Sequence, residues 1–324
     1  MKISVVIPAY NAEAFIGETI RSALAQTVAP LEIIVVDDGS SDRSAEVAQS
    51  LGCHVIRQAN GGVCVARNSG IRAARGDWIA LLDHDDLWLP HKLERQVAAA
   101  LACPDVLCFA TDFHRLRDGA PQSPSCLATP AYGFDQLTRR EVQPGIMRCP
   151  RAGTEILGPG WFLFPSSMLI RRDVLIEVGM FRPEQRLCED VDCFLRVLRR
   201  TELVVVREPL WWWREHPGNT SQDTTGIAEG WLRLARYVQD EPEAYPKGIT
   251  TQLRSILRNM RRELVAEYTA RRDFPSARRV SRTPFFGLPT PSDAVLAVVV
   301  ELPPPVWNAL RRARSALRAF SSRL

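Results

Sequence analysis

Within about its first 85 residues the chain repeats one pattern: a short apolar run, a polar cluster, then a segment of helical periodicity. The apolar runs are 3–7 (ISVVI), 31–36, 53–57 and 78–82. The first is a continuous β-branched run, as expected for a strand buried on both faces; the last reads as a buried strand, and the other two as strands between them. Pro8 is expected to end the first of them. Between the runs, residues 9–27 place Phe15, Ile20 and Leu24 on one helical face with Asn11 as the expected N-cap, Ser41 and Asp42 open a helix to about residue 50, and 63–74 reads as a third. This alternation specifies a doubly wound α/β architecture with a mainly parallel sheet and flanking helices. Such sheets bind ligands beyond the carboxyl ends of their strands. The polar clusters Ala9-Tyr10, Asp37-Asp38 and Asp83 to Asp86 all fall there.

The densest cluster is Asp83-His84-Asp85-Asp86, at the tip of the fourth apolar run. Oxygen-rich sites of this kind suit Mg²⁺ or Mn²⁺, which keep positions open for water and substrate phosphates. Alternate residues of an extended chain face the same way, so Asp83 and Asp85 can reach one diphosphate-bound ion. The competing reading is a solvated acidic turn that caps the helix beginning near Pro90. The sequence holds neither GxGxxG nor GxxxxGK[ST], so phosphates must be met by metal and side chains rather than by a glycine loop.

Beyond this point the pattern predicts a helix over 90–102, a strand over 105–113, and long Pro-, Gly- and Ser-rich loops over 115–165, one of them covering the site. A strand over 166–170, a short helix over 173–178 and a stronger helix over 189–200 follow, the last with Val191, Phe194, Leu195 and Leu198 on its apolar face. Residues 203–206 read as a strand, and Trp211, Trp212 and Trp213 follow it. From about 226 the chain turns helical and basic, with segments at 226–240 and 247–272, a proline-broken apolar stretch over 283–305, and a terminal amphipathic helix over 306–324. That division predicts a main domain over 1–224 and a helical extension over 225–324.

A net charge of +4 in 324 residues gives no reason to expect nucleic acid as a partner. Eight cysteines without a CxxC pair suit packed, reduced thiols. No uninterrupted apolar stretch reaches the roughly 18 residues of a membrane span, and the N-terminus lacks the apolar core of a signal peptide. The expected location is cytoplasmic. Residues 306–324 carry five arginines and no acid beside Trp307, Leu310, Leu317 and Phe320, a composition suited to peripheral contact with an anionic membrane face.

Six motifs now bear on identity: SVVIPAYN (4–11), VVDDGSSD (35–42), GGVCVARNSGIRAARGDWIALLDHDD (61–86), PSSMLIRRDVLIEVGMF (165–181), CEDVDCFLRV (188–197) and WREHPGNTS (213–221). In this order they resemble the family 2 glycosyltransferases of the GT-A fold over about residues 2–220. The resemblance implies an inverting enzyme that moves a sugar from a nucleotide-sugar donor, a UDP-sugar by preference, to a glycan or polyprenyl-linked acceptor in cell-surface polysaccharide synthesis. It implies a divalent metal, Mn²⁺ or Mg²⁺, held by Asp85, with Asp83 beside the ribose or the ion. It places Pro8, Tyr10, Asp38, Arg67, Asp83 and His216 on the donor, Tyr10 stacking on the base and Asp38 accepting its imide N–H. Asp190 is the implied general base, because an acceptor hydroxyl is a poor nucleophile until a carboxylate takes its proton. Asp86, Glu189 and Trp213 are further candidates, and the tryptophan run suits an acceptor pocket. Two other readings are a nucleotidyltransferase, which would need a glycine- and lysine-rich phosphate loop, and a non-catalytic nucleotide-sugar-binding protein.

Overall fold

The computed structural model describes residues 1–157 and 161–282. Its first half follows the predicted alternation: β1 (Ile3–Ala9), α1 (Ile16–Leu24), β2 (Glu32–Asp37), α2 (Ser44–Ser50), β3 (His54–Arg57), α3 (Val63–Ala73) and β4 (Trp78–Leu81). β1 runs parallel to β2 on one side and β4 on the other, and β3 extends the sheet beyond β2. Every residue of β1 is buried, and alternate residues feed two cores. Val6 joins Ala66 and Phe194 on one face of the sheet, while Val5 and Ile7 join Ile16, Ile20 and Leu93 on the other. A continuous apolar run is what such a doubly covered strand needs.

The second half comprises β5 (Leu87–Trp88), α4 (Lys92–Ala102), β6 (Cys108–Arg117), β7 (Ala120–Pro121), β8 (Arg140–Gln143), β9 (Ile146–Cys149), α5 (Ala152–Glu155), β10 (Leu169–Arg171), α6 (Arg172–Glu177), α7 (Glu189–Leu198) and β11 (Leu203–Arg214). Among the described residues the sheet order is β3-β2-β1-β4-β10-β6-β11-β9-β8, with β5 on β11 and β7 on β6. β10 is antiparallel to both β4 and β6, and β6 is parallel to β11, so β1 to β4, β6 and β11 all point the same way. The sheet is mixed and mainly parallel. Three helices follow: α8 (Thr224–Asp240), α9 (Ile249–Ala270) and α10 (Phe274–Arg282). Their Trp231, Leu234, Leu253 and Leu264 belong to the same core as Phe194 and Leu198 of α7. The apolar stretch over 283–305 and the amphipathic helix over 306–324 lie outside the described residues.

Four expectations need correction. Pro8 does not end β1. Lys2 and Val6 accept hydrogen bonds from the β4 side, so Pro8 turns its missing N–H toward a flank where β4 has already stopped. Asn11 is not the cap of α1, which starts at Ile16. Asn11 instead adopts a positive φ of 49° and accepts from the Ser41 backbone N–H at 2.9 Å, tying the end of β1 to the loop after β2. The buried face of α1 is accordingly Ile16, Thr19, Ile20 and Ala23, and Leu24 is 51% exposed. Residues 115–165 are not only loops: β8 and β9 form an antiparallel hairpin on the edge of β11. β11 itself runs eight residues beyond the predicted 203–206. Register shifts around Pro209 absorb the proline and let the tryptophan run continue along β6.

Candidate active site

The carboxyl ends of β1, β2 and β4, the start of α7 and the end of β11 surround one cleft of about 890 Å³. It contains Pro8, Tyr10, Asp38, Arg67, Asp83, Asp85, Asp86, Glu189, Asp190, Trp213 and His216, so the fold brings every sequence-predicted candidate to one place.

Tyr10 is 49% exposed at this cleft, which excludes core packing as the reason for the ring. Asp38, at the end of β2, is buried. Its Oδ1 accepts from Gln58 Nε2 at 2.7 Å and Gly61 N at 2.9 Å, and its Oδ2 from Gly62 N at 2.7 Å. A carboxylate has about four acceptor positions, so Oδ2 can take one more donor. Gly62 has a φ of 87°, a conformation open to glycine, and this turn aims its N–H at Asp38 at the start of α3.

Arg67, on α3, is 3% exposed. Its Nη2 donates to Asp83 Oδ1 and its Nη1 to Glu189 Oε1, both at 2.7 Å. Burial opposes the guanidinium charge, but the two carboxylates outweigh it and the group stays charged. Arg67 therefore ties the tip of β4 to the first turn of α7. This buried bridge rules out the exposed helical ion pair that an arginine at this position could otherwise make.

Asp83 and Asp85 reach the same cleft with different partners. Asp85 Oδ2 lies 3.0 Å from His216 Nε2. The Gly218 N–H donates to His216 Nδ1 at 3.1 Å, so Nε2 is the nitrogen that carries its proton toward Asp85. The imidazole also packs on Phe15, with ring centroids 4.6 Å apart. Asp86 is 3% exposed and caps no helix, since α4 starts only at Lys92. Its Oδ2 accepts from Ser166 Oγ at 2.5 Å and its Oδ1 from the Arg214 N–H at 3.2 Å. Burial, with the charges of Asp85 and Asp83, pushes its carboxyl well above the usual range. Asp86 thus fastens the acidic turn to β11, and Thr19 of α1 adds bonds to the His84 and Asp86 carbonyls.

Asp190 opens α7. Its Oδ1 accepts from the Val191 N–H at 2.8 Å and its Oδ2 from the Trp161 indole at 3.1 Å. Burial first, then the charge of Glu189, raises its pKa to about 7. An acid poised near neutrality at the edge of a cleft is suited to accepting a proton. Trp211 and Trp213, two residues apart on β11, face the same side and both pack on Phe164; Trp211 lies fully buried and stacks on Phe113, whereas Trp213, nearer the strand's end, lines the cleft. Trp161, Ile227 and Trp231 continue the aromatic and apolar wall near Asp190.

Among the described residues no group of three or more His, Cys, Asp or Glu side chains is placed to hold a metal ion by itself. A small divalent cation bound through one carboxylate and completed by phosphate oxygens and water needs no such cage. Asp85 fits that mode, with Oδ2 oriented by His216 and Oδ1 left for the ion. The sequence missed Trp161, a single side chain in an irregular segment, and assigned no role to Ser166, inside a quoted motif and read as the start of a strand; it lies in a short 3-10 turn before β10. Asn219, which accepts from the His216 N–H at 2.6 Å, stood inside a quoted motif.

Comparison with known proteins places this geometry. Residues 4–179 match Glycosyl transferase family 2. An uncharacterized glycosyltransferase of Bacillus subtilis, EpsJ, is 32% identical over 238 residues, which are 68% of this chain and 63% of that protein. The chain therefore spans less than two thirds of that relative's length. Another uncharacterized glycosyltransferase, RP339 of Rickettsia prowazekii, is 29% identical over 78% of this chain and 77% of its own. Among solved structures, S. aureus TarS 1-349 in complex with UDP-GlcNAc superposes with a TM-score of 0.62 at 17% identity, covering 86% of this chain and 79% of that one. The mannosyltransferase PcManGT from Pyrobaculum calidifontis, in complex with GDP-Man and Mn²⁺, gives 0.57 at 16%, covering 99% and 82%. These likenesses show a common fold, the GT-A architecture.

Proposed function

The chain belongs to glycosyl transferase family 2, and from that premise we propose that it transfers a sugar, with inversion, from a nucleoside-diphosphate donor to a hydroxyl of a glycan or lipid-linked acceptor. The observation that carries this reading is the meeting in one cleft of an exposed Tyr10 ring, the Asp85–His216 pair and an Asp190 carboxyl titrating near neutrality. Tyr10 offers a stacking face for the base, and the open position on Asp38 Oδ2 accepts an imide N–H, which suits uracil and thymine alike. The solved structures of this fold hold UDP-GlcNAc and GDP-Man, both nucleotide sugars, which supports the donor class.

Asp85 would hold Mn²⁺ or Mg²⁺, which when bound supplies positive charge against the diphosphate. His216, through Nε2–H, orients Asp85 beside the place of the diphosphate. Arg67 keeps Asp83 and Glu189 in register between β4 and α7. Asp190 takes the proton of the acceptor hydroxyl as its oxygen bonds to the anomeric carbon; the bond from that carbon to the diphosphate oxygen breaks, and the diphosphate leaves with the electron pair. One displacement inverts the anomeric centre. Trp161, Trp213 and Trp231 give flat faces on which a pyranose ring or an apolar acceptor packs. An acid poised beside the donor's place favours turnover over mere binding. Cell-surface polysaccharide synthesis, a cytoplasmic location and membrane contact through 306–324 complete the reading. They rest on the family resemblance and the basic terminal sequence.

A thermal-shift screen of nucleotide sugars with Mn²⁺ tests it. A true donor at 100 times its dissociation constant stabilises the fold by about 2.7 kcal/mol. The Mn²⁺-dependent part should vanish in Asp85→Asn, whose fold should persist. Equal stabilisation of wild type and variant would remove Asp85 from the metal.

A further inference from the structure

Asp190 is fixed from two directions. Its Oδ1 is held by the Val191 N–H of its own helix, and its Oδ2 by the indole of Trp161, 29 residues earlier in the chain. The indole N–H is a donor only, so this bond favours the charged carboxylate and fixes the plane of the group. Trp161 itself packs against the core that contains α7 and lines the cleft, so it is placed both to anchor the acid and to face an acceptor.

We propose that Trp161 is a positioning residue for the general base: its indole N–H holds Asp190 Oδ2, keeping the carboxylate oriented toward the acceptor hydroxyl and available as the ionised form. The charged and titratable groups around Asp190 are Glu189 and Cys188 at the start of α7, Cys193 one turn on, and Arg67 of α3. Glu189 raises its proton affinity, whereas Arg67, the Val191 N–H and Trp161 lower it. Trp161→Phe keeps most of the ring and removes the donor alone. This inference rests on Asp190 being the base, and its test separates the two claims.

The test uses the full chain labelled with ¹⁵N at tryptophan, with the Trp161 indole signal identified by its loss in Trp161→Phe. In wild type that signal should move with pH, with a midpoint near 7, and in Asp190→Asn it should stay still from about pH 5 to about pH 9. A Trp161 signal flat in wild type, or one that still titrates in Asp190→Asn, overturns the contact. With a donor from the screen, the acidic limb of kcat/KM in Trp161→Phe should move to higher pH by about half a unit to one unit, with donor affinity unchanged. A limb that stays in place, or a loss confined to donor binding, overturns the positioning role. If Asp190→Asn transfers sugar at the wild-type rate while the indole titrates as described, the assignment of the base fails and the contact stands.

Discussion

At the scale of single residues, the cleft is organised by how charges are held. Arg67 bonds both Asp83 and Glu189, and Asp85 leans on His216, but Asp190 has only dipoles for direct partners and the charge of Glu189 next door. Its raised pKa has a consequence for stability. A carboxyl whose folded pKa lies above its unfolded one contributes stability that is fully present below the unfolded value and is lost as pH rises through the folded one. The unfolded value is near 3.8 and the folded value about 7, so wild type should lose stability across that window. Asp190→Asn has no charge to impose. Its Tm relative to wild type should rise from pH 5 to pH 8, on the order of a few degrees; a difference that does not vary with pH would place the acid in ordinary solvent. Tyr10, Asp38, Asp85 and Asp190 were legible in the sequence because each sits in a motif at a strand tip or a helix start. Trp161 was not, since a lone tryptophan in a Pro- and Gly-rich segment has no periodicity and its partner is 29 residues away. Asp86 was legible as a candidate with a helix cap as the competing reading; the structure excludes the cap, and nothing local in the sequence points to its partners Ser166 and Arg214.

At the scale of elements, the strands that frame the site were the easiest to read. β1, β2 and β4 are continuous apolar runs, and burial on both faces leaves little choice of residue, whereas the edge strand β3 is exposed at both its ends. β11 was read short because Glu208 and Pro209 interrupt its apolar run, and only the register shifts against β6 show how the strand passes them. The β8–β9 hairpin has no alternation strong enough to stand out, and its pairing with β11 depends on sequence far away. Helix α7, which presents Asp190, is locked on its far side. Asp192 is fully buried, where it accepts from the hydroxyl of Tyr245, beyond α8, and from Arg196 Nη2 at 2.5 Å. Gly230 serves the same contact region, since a Cβ there would collide with the Leu187 carbonyl just before α7. Tyr245→Phe removes one donor from a buried charge and should cost about 1–3 kcal/mol in denaturant unfolding. Donor affinity should be unchanged. An unchanged unfolding midpoint would mean that this lock contributes nothing to holding α7.

At the scale of the whole molecule, the sheet, α7 and the helices α8 to α10 share one core, so the described part of the extension is built into the main domain. The eight cysteines are all free, as the composition led us to expect, and no described helix is long and apolar enough to cross a membrane. The mixed, mainly parallel sheet followed from the order of runs in the first half of the chain. The packing of α8 against the cleft did not, because the aromatic side chains of α8 read equally as core. What the assembly as a whole is proposed to do is sugar transfer with Asp190 as the base. The most direct measurement is the transfer rate of Asp190→Asn at saturating donor and Mn²⁺, with donor affinity followed by calorimetry on the same preparation. The account predicts wild-type donor affinity and a rate reduced by about 10²- to 10⁴-fold, because an amide cannot accept the acceptor's proton. Intact donor affinity with a loss of less than about tenfold would contradict it and place the base elsewhere.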